Sequence, residues 1–575
     1  MINNKLGGFL MKKILAYGLL VFVSASAQAT DYYFSDCQAG ADTLTCKPGI
    51  DSNPGTPEAP KLSLAHARVI LDNASAGDQI LFARNGSWTS VTSAFWTGNN
   101  RGTAAKPIVI GDYTPKNYTG SAKPLITLTG PQASCLVITT GGATPVHKEG
   151  FVFKNIKCVG IGATGVADAT GINTYNDVSD VLLDNLDISG FSIGVYPSDG
   201  RVAGTVTKGL TLRNSYIHDN TTQGFLGGGP NLLIENNVFD NNGYISDRGK
   251  SLDRNHHIYL TAEKFTGAVV RGNKLTRSAV CTPSSGIACA TYNQCYGVPI
   301  VAHGTINDLV IENNVVDESS GAAPGCYGIQ VAPGYPTIAE AFPGAIVRGN
   351  RLANVGSNAI DIGSCPNCVI EDNVIAWTNS PRMTVVGINA PSGNVKPDDA
   401  VDTNLTVRNN SIYVSGADAY SRGIQLTSTG SGHNVVNNLI FFAANTSASV
   451  KCFDTTNLSR SSFSAFDYNL CYSDRADHAV RYSQAYATWT GNGGAQANGF
   501  DTHGLNINPL ITIPVAGNDY SMALSSLNSP AASGGHPSLS KRLGYHGAFS
   551  PNGPMFIGAY PYRPMITAPS SPTPN

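Results

Sequence analysis

Ile234-Glu235-Asn236-Asn237-Val238-Phe239 is the clearest copy of a six-residue pattern that recurs through the middle of this chain. The pattern begins and ends with an apolar residue, its third position favours Asn, Asp or Gly, and its fourth is usually Asn. Other close copies begin at Ile311, Val347 and Ile370, and looser ones begin at Phe153, Leu183, Leu212, Val270, Val407, Val435 and Phe466. In consecutive copies the fourth position falls at residues 215 and 237 and at residues 350 and 373, so the shortest repeats are 22 and 23 residues long. Recurrence at this spacing indicates a solenoid.

The repeat predicts strands rather than helices, and therefore an all-β chain. Each copy sets apolar residues around a turn of Asn, Asp or Gly, which tolerate left-handed backbone. Short alternating segments such as Gly328-Ile329-Gln330-Val331 lie between consecutive copies and predict further strands with one buried face. Turns of about 22 residues would stack at roughly 4.8 Å into parallel sheets. The chain resembles the right-handed parallel β-helix repeat proteins, and the resemblance implies a solenoid of eleven or more coils.

The Asn at the fourth position has a structural interpretation. If the coils stack, Asn350 and Asn373 occupy the same turn in neighbouring coils, and each side-chain amide can hydrogen-bond to the next. Arg213, Arg271, Arg348 and Arg408 also share one repeat position, which places them in the scaffold. We therefore look for function outside these two columns.

The ends of the chain predict export and capping. Lys12-Lys13, an apolar run and Ala27-Gln28-Ala29 form a signal-peptide pattern, so residues 1–29 are expected to be removed. Residues 30–98 are predicted to form an N-terminal cap with a short amphipathic helix over Leu62–Leu71, because an open solenoid end exposes backbone and core. Residues 99–511 are then the β-helix, residues 512–563 a C-terminal closing segment and residues 564–575 a disordered tail. Both ends resemble those of secreted β-helix proteins.

The twelve cysteines favour an oxidising compartment, so we expect a secreted or periplasmic protein. Cys37 with Cys46, Cys135 with Cys158, Cys365 with Cys368 and Cys452 with Cys471 are predicted pairs, and Cys281, Cys289, Cys295 and Cys326 form one further group. A metal site at Cys365-Pro366-Asn367-Cys368 lacks a second ligand pair, so no metal site is predicted. The sequence leaves open whether Ca²⁺ takes part.

The charge balance restricts the partners. The net charge is −2 and only 13% of residues are charged, so no basic stripe is present to neutralise phosphates and nucleic acid is not an expected partner. Beyond the leader, no apolar segment is long enough to span a bilayer. A surface rich in hydroxyls and amides suits an uncharged hydrophilic polymer, above all a polysaccharide. We expect the protein to act as a monomer.

The second strand of each coil predicts an outward column. The residues expected to face inward are Val195, Phe225, Ile258, Val298, Ile329, Ile360, Ile388 and Ile424. Alternation then turns the following residues outward, and these are Tyr196, Leu226, Tyr259, Pro299, Gln330, Asp361, Asn389 and Gln425. The residue before each inward position is Gly or Ala in every aligned coil except one, where it is His257. Alternation predicts that His257 faces outward beside Tyr259.

The connection that precedes His257 is unusually charged, and long loops of this kind often carry sites. Residues 247–254 read Asp-Arg-Gly-Lys-Ser-Leu-Asp-Arg. Removing the C5 proton of a uronic acid needs a base at that carbon and cations at the carboxylate. Tyr259 or His257 is the predicted base, with cations nearby that lower the pKa of Tyr259. Arg254 and Lys250 complete the predicted catalytic set, and the predicted substrate-binding residues are Arg248, Asp253, His256, Gln330, Asp361, Asn389 and Gln425.

This set of side chains resembles that of polysaccharide lyases with the same fold, some of which pair Tyr with His. The Asn-Thr-Asp, Asp-Asp and Gly-His-Gly signatures of the β-helix polygalacturonases and the Asp-Pro-His motif of the mannuronan epimerases are absent from the sequence. The leading hypothesis is an exported lyase that cleaves a uronic-acid-containing glycan by β-elimination.

Two alternatives stay open at this point. A glycan-binding or adhesin-like surface rod would need only the long polar face. A glycoside hydrolase would need two facing carboxylates, for which Asp253 and Asp361 are the pair considered. His303 and the acidic pair Asp317-Glu318 are further candidates outside the main cluster.

Overall fold

The structure is a computed structural model. It describes residues 29–36, 48–139, 146–162, 169–198, 207–245, 252–379, 383–391, 395–416, 418–456, 458–477, 480–515, 522–526, 528–538 and 556–559. Most of the predicted leader, the predicted tail, the predicted Cys37–Cys46 pair, Arg248 and Lys250 lie outside these residues.

The described residues form a right-handed parallel β-helix, as the repeat predicts. Its strands build three long sheets in which every neighbouring pair is parallel, with 14, 13 and 12 strands. Each regular coil contributes one strand to each sheet, in the order first, second and third. Consecutive coils are therefore hydrogen-bonded neighbours along the whole solenoid.

The first sheet carries the first half of each hexapeptide. Its strands are β1 (Asp31–Phe34), β2 (Gln79–Ala83), β5 (Ile108–Tyr113), β8 (Lys148–Lys154), β11 (Val178–Asp184), β14 (Thr211–Arg213), β17 (Leu233–Glu235), β20 (Val269–Arg271), β23 (Val310–Glu312), β26 (Ile346–Arg348), β29 (Val369–Glu371), β32 (Thr406–Arg408), β35 (His433–Val436) and β38 (Phe463–Asp467).

The second sheet carries the second half of each hexapeptide. Its strands are β3 (Ser87–Ser90), β6 (Leu125–Leu128), β9 (Lys157–Val159), β12 (Asp187–Ser189), β15 (Tyr216–His218), β18 (Val238–Asp240), β21 (Lys274–Thr276), β24 (Val315–Asp317), β27 (Arg351–Ala353), β30 (Val374–Trp377), β33 (Ser411–Val414), β36 (Leu439–Phe442) and β39 (Leu470–Ser473).

The third sheet is formed by the segments between hexapeptides. Its strands are β4 (Phe95–Thr97), β7 (Leu136–Thr139), β10 (Thr170–Tyr175), β13 (Ile193–Ser198), β16 (Gln223–Gly227), β19 (His256–Thr266), β22 (Ile300–Asn307), β25 (Ile329–Val331), β28 (Asn358–Ile362), β31 (Val386–Ala390), β34 (Arg422–Leu426) and β37 (Lys451–Asp454).

The turn between the first and second sheets explains the composition of the hexapeptide. Its third residue adopts left-handed backbone, with φ of 56° at Asn236, 58° at Asp372 and 63° at Gly349. Its fourth residue is a buried Asn whose amide joins the next coil, as the 3.0 Å bond from Asn350 Nδ2 to Asn373 Oδ1 illustrates. The predicted ladder is confirmed, and it runs through Asn237, Asn273, Asn314, Asn350, Asn373, Asn410, Asn438 and Asn469 to Asp501.

A continuous apolar core fills the space between the three sheets, extending from Phe34 near one end to Phe500 near the other. Helix α1 (Leu64–Asn73) packs beside the first coils, with Ser63 as its N-cap and Leu64, Ala67 and Leu71 buried. This helix begins and ends two residues later than the amphipathic pattern predicts, since Leu62 stays 38% exposed. Helix α1 thus buries apolar surface against the first coils of the solenoid.

Disulfides and surface ion pairs reinforce the scaffold. The predicted pairs Cys135–Cys158, Cys365–Cys368 and Cys452–Cys471 are present, and the group of four resolves into Cys281–Cys289 and Cys295–Cys326. The four repeat arginines are also structural, because each pairs with an acid in the preceding coil. These pairs are Arg213–Asp184, Arg271–Glu235, Arg348–Glu312 and Arg408–Glu371.

Candidate functional site

The outer face of the third sheet carries the predicted column, with one change. Strand register aligns Leu226, Tyr259, Val301, Gln330, Asp361, Asn389 and Gln425. Val301 replaces the predicted Pro299, and the buried Ile300 replaces Val298 as the inward residue. The prediction missed this because the long connection before β22 shifts the strand by two residues.

His257 does not face outward, and that prediction is wrong. Its side chain is fully buried, with Nδ1 3.1 Å from Asn242 Nδ2 and Nε2 2.8 Å from the Thr276 carbonyl oxygen. Because that carbonyl can only accept, Nε2 carries the proton and Nδ1 accepts from Asn242. Burial lowers the pKa of His257 to about 4. Both ring nitrogens are therefore engaged, and His257 ends a second buried ladder that begins at Asn220 and Asn242.

The alternation rule fails here because the chain turns at this position. The register of β16 with β19 pairs Gln223 with His256 and Phe225 with Ile258, and it omits Gly224 and His257. A Cβ placed on Gly224 would lie 2.9 Å from Phe239 and 3.1 Å from Asn242. The column of small residues consequently faces the core at a corner of the coil, and it does not form an outer trough.

Tyr259 does lie on the outer face, where four ring side chains meet. The Tyr259 ring centroid lies 5.1 Å from that of His256 and 5.6 Å from that of His303, and Tyr335 lies 5.4 Å from His303. The Tyr259 and Tyr335 hydroxyls are 2.7 Å apart, and Thr261 Oγ1 lies 2.5 Å from the same Tyr335 hydroxyl. We refer to His256, Tyr259, His303 and Tyr335 as the ring cluster.

Glu340 holds Tyr335 in place. Its buried carboxylate accepts hydrogen bonds from the backbone N–H groups of Gly304, Gly334 and Tyr335 at 2.5–2.6 Å. These bonds fasten the connection after β25 to strand β22 and set the tyrosine over the third sheet. Tyr335 and Glu340 were not among the predicted site residues. A signal was present, because Glu340 is the one acidic residue between Glu318 and Asp361.

The protonation state of Tyr259 is opposite to the one expected. Burial raises the pKa of Tyr259, and its bond to Tyr335 adds to the rise, whereas only Arg254 opposes it. The prediction that neighbouring cations lower the pKa of Tyr259 is wrong, because a partly desolvated phenolate is unfavourable. Tyr259 is therefore a neutral proton donor at ordinary pH.

His303 has the properties of a base. Its Nδ1 lies 2.7 Å from the Ala332 carbonyl oxygen, so Nδ1 carries the proton and Nε2 keeps its lone pair. Burial lowers the pKa of His303. The hydrogen bond to Ala332 and the charge of Glu340 act in the opposite direction, because they favour the protonated ring, but burial outweighs them. The imidazole is thus neutral, with a fixed tautomer, and its ring packs edge-on against the rings of two tyrosines. His256 also donates through Nδ1, to the Val298 carbonyl at 3.0 Å, and burial lowers its pKa to about 3.

The charged residues before β19 lie at the edge of this face. Asp253 and Arg254 end the 3-10 turn Leu252–Arg254 and are both exposed. Gln223 donates to the Arg254 carbonyl at 2.8 Å and accepts from the His256 N–H at 2.7 Å. The turn is therefore fixed to the neighbouring coil, and the Arg254 guanidinium is close enough to favour ionisation of Tyr259.

Asp361 lies further along the column and is engaged by amides. Its carboxylate accepts from Gln330 at 3.0 Å, Asn389 at 2.6 Å and Asn358 at 3.2 Å, and it is 6% exposed. Burial raises the pKa of Asp361, while these bonds oppose the rise. The structure thus brings Gln330, Asp361 and Asn389 together as predicted, and Gln425 follows in register. Among the described contacts, none joins Asp361 to Asp253.

The described residues contain one group of three potential metal ligands, Cys295, Glu318 and Cys326. Its two cysteines form a disulfide, so their thiolates are not available to a metal. Cys365 and Cys368 likewise form a disulfide. Within the described part of the chain, no helix has the length and apolar character that a membrane crossing requires.

Comparison with known proteins yields structural likeness alone. No family model and no curated protein matches the chain. An alginate lyase from Paenibacillus sp. str. FPU-7 is 17% identical, with a TM-score of 0.31 over 57% of this chain and 95% of that chain. The A-module of the Azotobacter vinelandii mannuronan C-5 epimerase AlgE4 is 15% identical, with a TM-score of 0.36 over 68% and 90%. The tailspike of E. coli bacteriophage HK620 is 12% identical, with a TM-score of 0.42 over 76% and 80%.

Proposed function

We propose that this protein is an exported polysaccharide lyase that cleaves a uronic-acid-containing glycan by β-elimination at the ring cluster. The observation that carries the proposal is His303, an imidazole whose Nδ1 proton is held by Ala332, packed against the rings of Tyr259 and Tyr335, whose hydroxyls bond to each other. A base and a proton donor on one face are what a proton abstraction followed by departure of an alkoxide needs. The column from Gln330 to Gln425 would bind further sugar units.

In the proposed reaction, His303 Nε2 removes the C5 proton of the uronate. The electrons of that C–H bond form the C4–C5 double bond, and the C4–O4 bond breaks. Tyr259 donates its hydroxyl proton to the departing O4, and the phenolate then recovers a proton from the His303 imidazolium by way of Tyr335 or water. Arg254 would stabilise the charge that develops on the uronate carboxylate. Arg248 and Lys250 remain proposed cations for the same carboxylate.

His257 has no part in this mechanism, because its ring is buried and both nitrogens are bonded. The hydrolase alternative has less support. It needs an acid and a second carboxylate free to meet the substrate or water. Glu340 and Asp361, two of the buried carboxylates on this side of the solenoid, are each occupied by three hydrogen bonds.

The non-catalytic alternative is a glycan-binding surface. It is favoured by the row of Gln330, Asp361 and Asn389, which offers amide groups in successive coils and needs no chemistry. Under this alternative the same face binds polysaccharide and nothing is cleaved.

Incubation of the purified exported chain with a panel of polyuronides tests the proposal. Elimination creates a conjugated double bond, so ultraviolet absorbance should rise with at least one polymer. His303→Ala and Tyr259→Phe should abolish the rise, whereas Tyr420→Phe, which removes an exposed hydroxyl, should not change it. Binding without any rise in absorbance would favour the non-catalytic alternative. Full activity in both cluster variants would place the chemistry elsewhere.

A further inference from the structure

A cavity of about 530 Å³ lies at the other end of the third sheet, away from the ring cluster. It is lined by Arg68 of α1, by Val91 and Trp96 around β4, and by Pro131 and Gln132 before β7. Its size falls in the range of about 300–1,000 Å³ that small-molecule sites occupy. The cavity combines an aromatic face, a cation and an amide, which are the groups that a sugar ring with a carboxylate can use.

Trp96 is unusual among the tryptophans of this chain. Its side chain is 46% exposed, whereas Trp88, Trp377 and Trp489 are buried at 3%, 1% and 6%. An indole gains most when its large apolar face is covered and its N–H finds a partner. Trp96 belongs to none of the apolar clusters among the described residues, and its N–H has no partner there. A ligand that stacks on the ring would cover the apolar face, and a polar group of that ligand at the ring edge would accept from the N–H.

The register of the third sheet places Trp96 in the same outward column as Tyr259. Trp96 pairs with Val137, Val137 with Asn173, and Asn173 with Tyr196. The next strands continue the column through Leu226 to Tyr259. Five strand spacings separate the two aromatic side chains, or roughly 24 Å at about 4.8 Å each. One extended polysaccharide of several sugar units would be long enough to lie over both.

Arg68 gives the cavity a preference for a negatively charged ligand. It is half-buried in the middle of α1, and its guanidinium makes no ion pair with any described residue. A guanidinium is suited to bind a carboxylate through two parallel hydrogen bonds. The cavity is therefore complementary to an anionic sugar more than to a neutral one.

We propose that the Trp96 cavity is a distal subsite for a uronate unit of the same polysaccharide, with the pyranose ring stacked on the indole and its carboxylate at Arg68. This inference rests on the proposed function for its substrate class. It adds that the protein holds a long chain at two places and acts on polymers in preference to short oligosaccharides.

Tryptophan fluorescence tests the subsite directly, because Trp96 is the one exposed tryptophan of the four. The probes are sodium polygalacturonate and sodium polymannuronate, with neutral dextran as a control, titrated into the full exported chain carrying Tyr259→Phe to prevent turnover. Binding should protect the emission from quenching by acrylamide with at least one polyuronide and not with dextran. Trp96→Ala should remove the quenchable component and weaken polyuronide binding about tenfold, a loss typical of truncating an aromatic anchor.

Two further variants, measured together with the thermal midpoint of unfolding, distinguish a loss of binding from a loss of folding. Trp96→Phe should retain part of the affinity, and Arg68→Gln should weaken binding of polyuronide. Neither should shift the thermal midpoint, because both side chains line an open cavity. Polyuronide that binds or is cleaved without protecting Trp96 would overturn the subsite while leaving the proposed function intact. Absence of both binding and cleavage would overturn both, and an effect of Trp96→Ala on self-association alone would also overturn the subsite.

Discussion

Asn350 shows how single side chains fix the stacking of coils. Its Nδ2 donates to the Ile311 carbonyl and to Asn373 Oδ1, and its Oδ1 accepts from the backbone and side-chain N–H groups of Asn314. All of these groups are buried, so none can turn to water if the asparagine is removed. Truncating one member of the ladder leaves its two neighbours with unsatisfied polar groups.

Asn350→Ala should therefore lower the free energy of unfolding by roughly 1–3 kcal/mol. Urea unfolding of the exported chain measures this loss. Asn100→Ala is the matched control, since Asn100 is exposed and should tolerate the change within about 0.5 kcal/mol. Equal effects of the two substitutions would contradict a stabilising ladder.

The ring cluster leads to a prediction for the pH dependence of the proposed lyase. Burial lowers the pKa of His303 below its ordinary 6.5, so the neutral base should persist into mildly acidic solution. Burial and the Tyr335 hydroxyl raise the pKa of Tyr259 above 10.0, so the acid should stay protonated at alkaline pH. We expect kcat/KM to form a broad plateau that falls only on the acidic side of 6.5 and beyond 10.0. A value that rises steadily towards alkaline pH would instead indicate a phenolate base.

Residue-level chemistry was only partly predictable from the sequence. The asparagine ladder follows from the repeat, and Tyr259, Gln330, Asp361 and Asn389 were placed correctly because strand alternation holds along their segments. His257 was misplaced because alternation breaks where the coil turns its corner. Tyr335 and Glu340 reach the site from a long connection, and no repeat pattern constrains where such a connection folds.

Neighbouring strands of the second sheet are joined by a second ionisable network. His218 on β15 bonds through Nε2 to Asp187 on β12 at 3.1 Å and through Nδ1 to Asp219 at 2.7 Å, with the Tyr216 ring stacked 3.8 Å away. Burial opposes the charged imidazolium, but the bonds to the two carboxylates outweigh it and raise the pKa of His218. The bonds to His218 likewise outweigh burial and lower the pKa of both aspartates.

This network should make stability depend on pH. Because the folded-state pKa of His218 is raised, its contribution is complete below the unfolded value of about 6.5 and disappears as pH rises through the folded value. The thermal midpoint of the wild type should exceed that of His218→Gln most at mildly acidic pH, and the gap should narrow in alkaline solution. The same scan on His66→Gln, which alters a half-exposed helix residue, serves as the control. A gap that stays constant across the scan would contradict the prediction.

At the level of elements, the sequence predicted the sheets better than the connections. The hexapeptide specifies two strands and the left-handed turn between them, because only a few residue types accept that backbone. The lengths of β19 and β22, 11 and 8 residues, were not anticipated. These two long strands pair with each other from Ile258 and Ile300 onward, and Thr261 on β19 contacts Tyr335 of the connection after β25.

At the scale of the molecule, the described residues form a stack of coils that carries five disulfides, which suits an oxidising compartment. Export, the cap over residues 30–98, the β-helix over residues 99–511 and the closing segment over residues 512–563 remain proposals at these boundaries. The overall fold could be predicted because a solenoid repeats one local rule. The boundaries of its ends are harder to predict, since the ends follow no repeat, although the amphipathic pattern located helix α1 to within two residues.

Intact-mass measurement of the exported chain tests this view of the molecule. Cleavage after Ala29 should set the mass of the mature chain, and alkylation without reduction should leave the five described disulfides unlabelled. Labelling at Cys37 and Cys46 then reports on the predicted sixth pair. Alkylation of all twelve cysteines without a reductant would contradict export into an oxidising compartment.

The central claim, elimination at the ring cluster, is tested most directly by the mass of the products formed in heavy-oxygen water. A lyase adds no solvent oxygen, so the fragments of a polyuronide cleaved by the wild-type chain should carry none and should contain an unsaturated terminal sugar. His303→Ala should yield no such fragments. Fragments that incorporate heavy oxygen would show hydrolysis and would contradict the account.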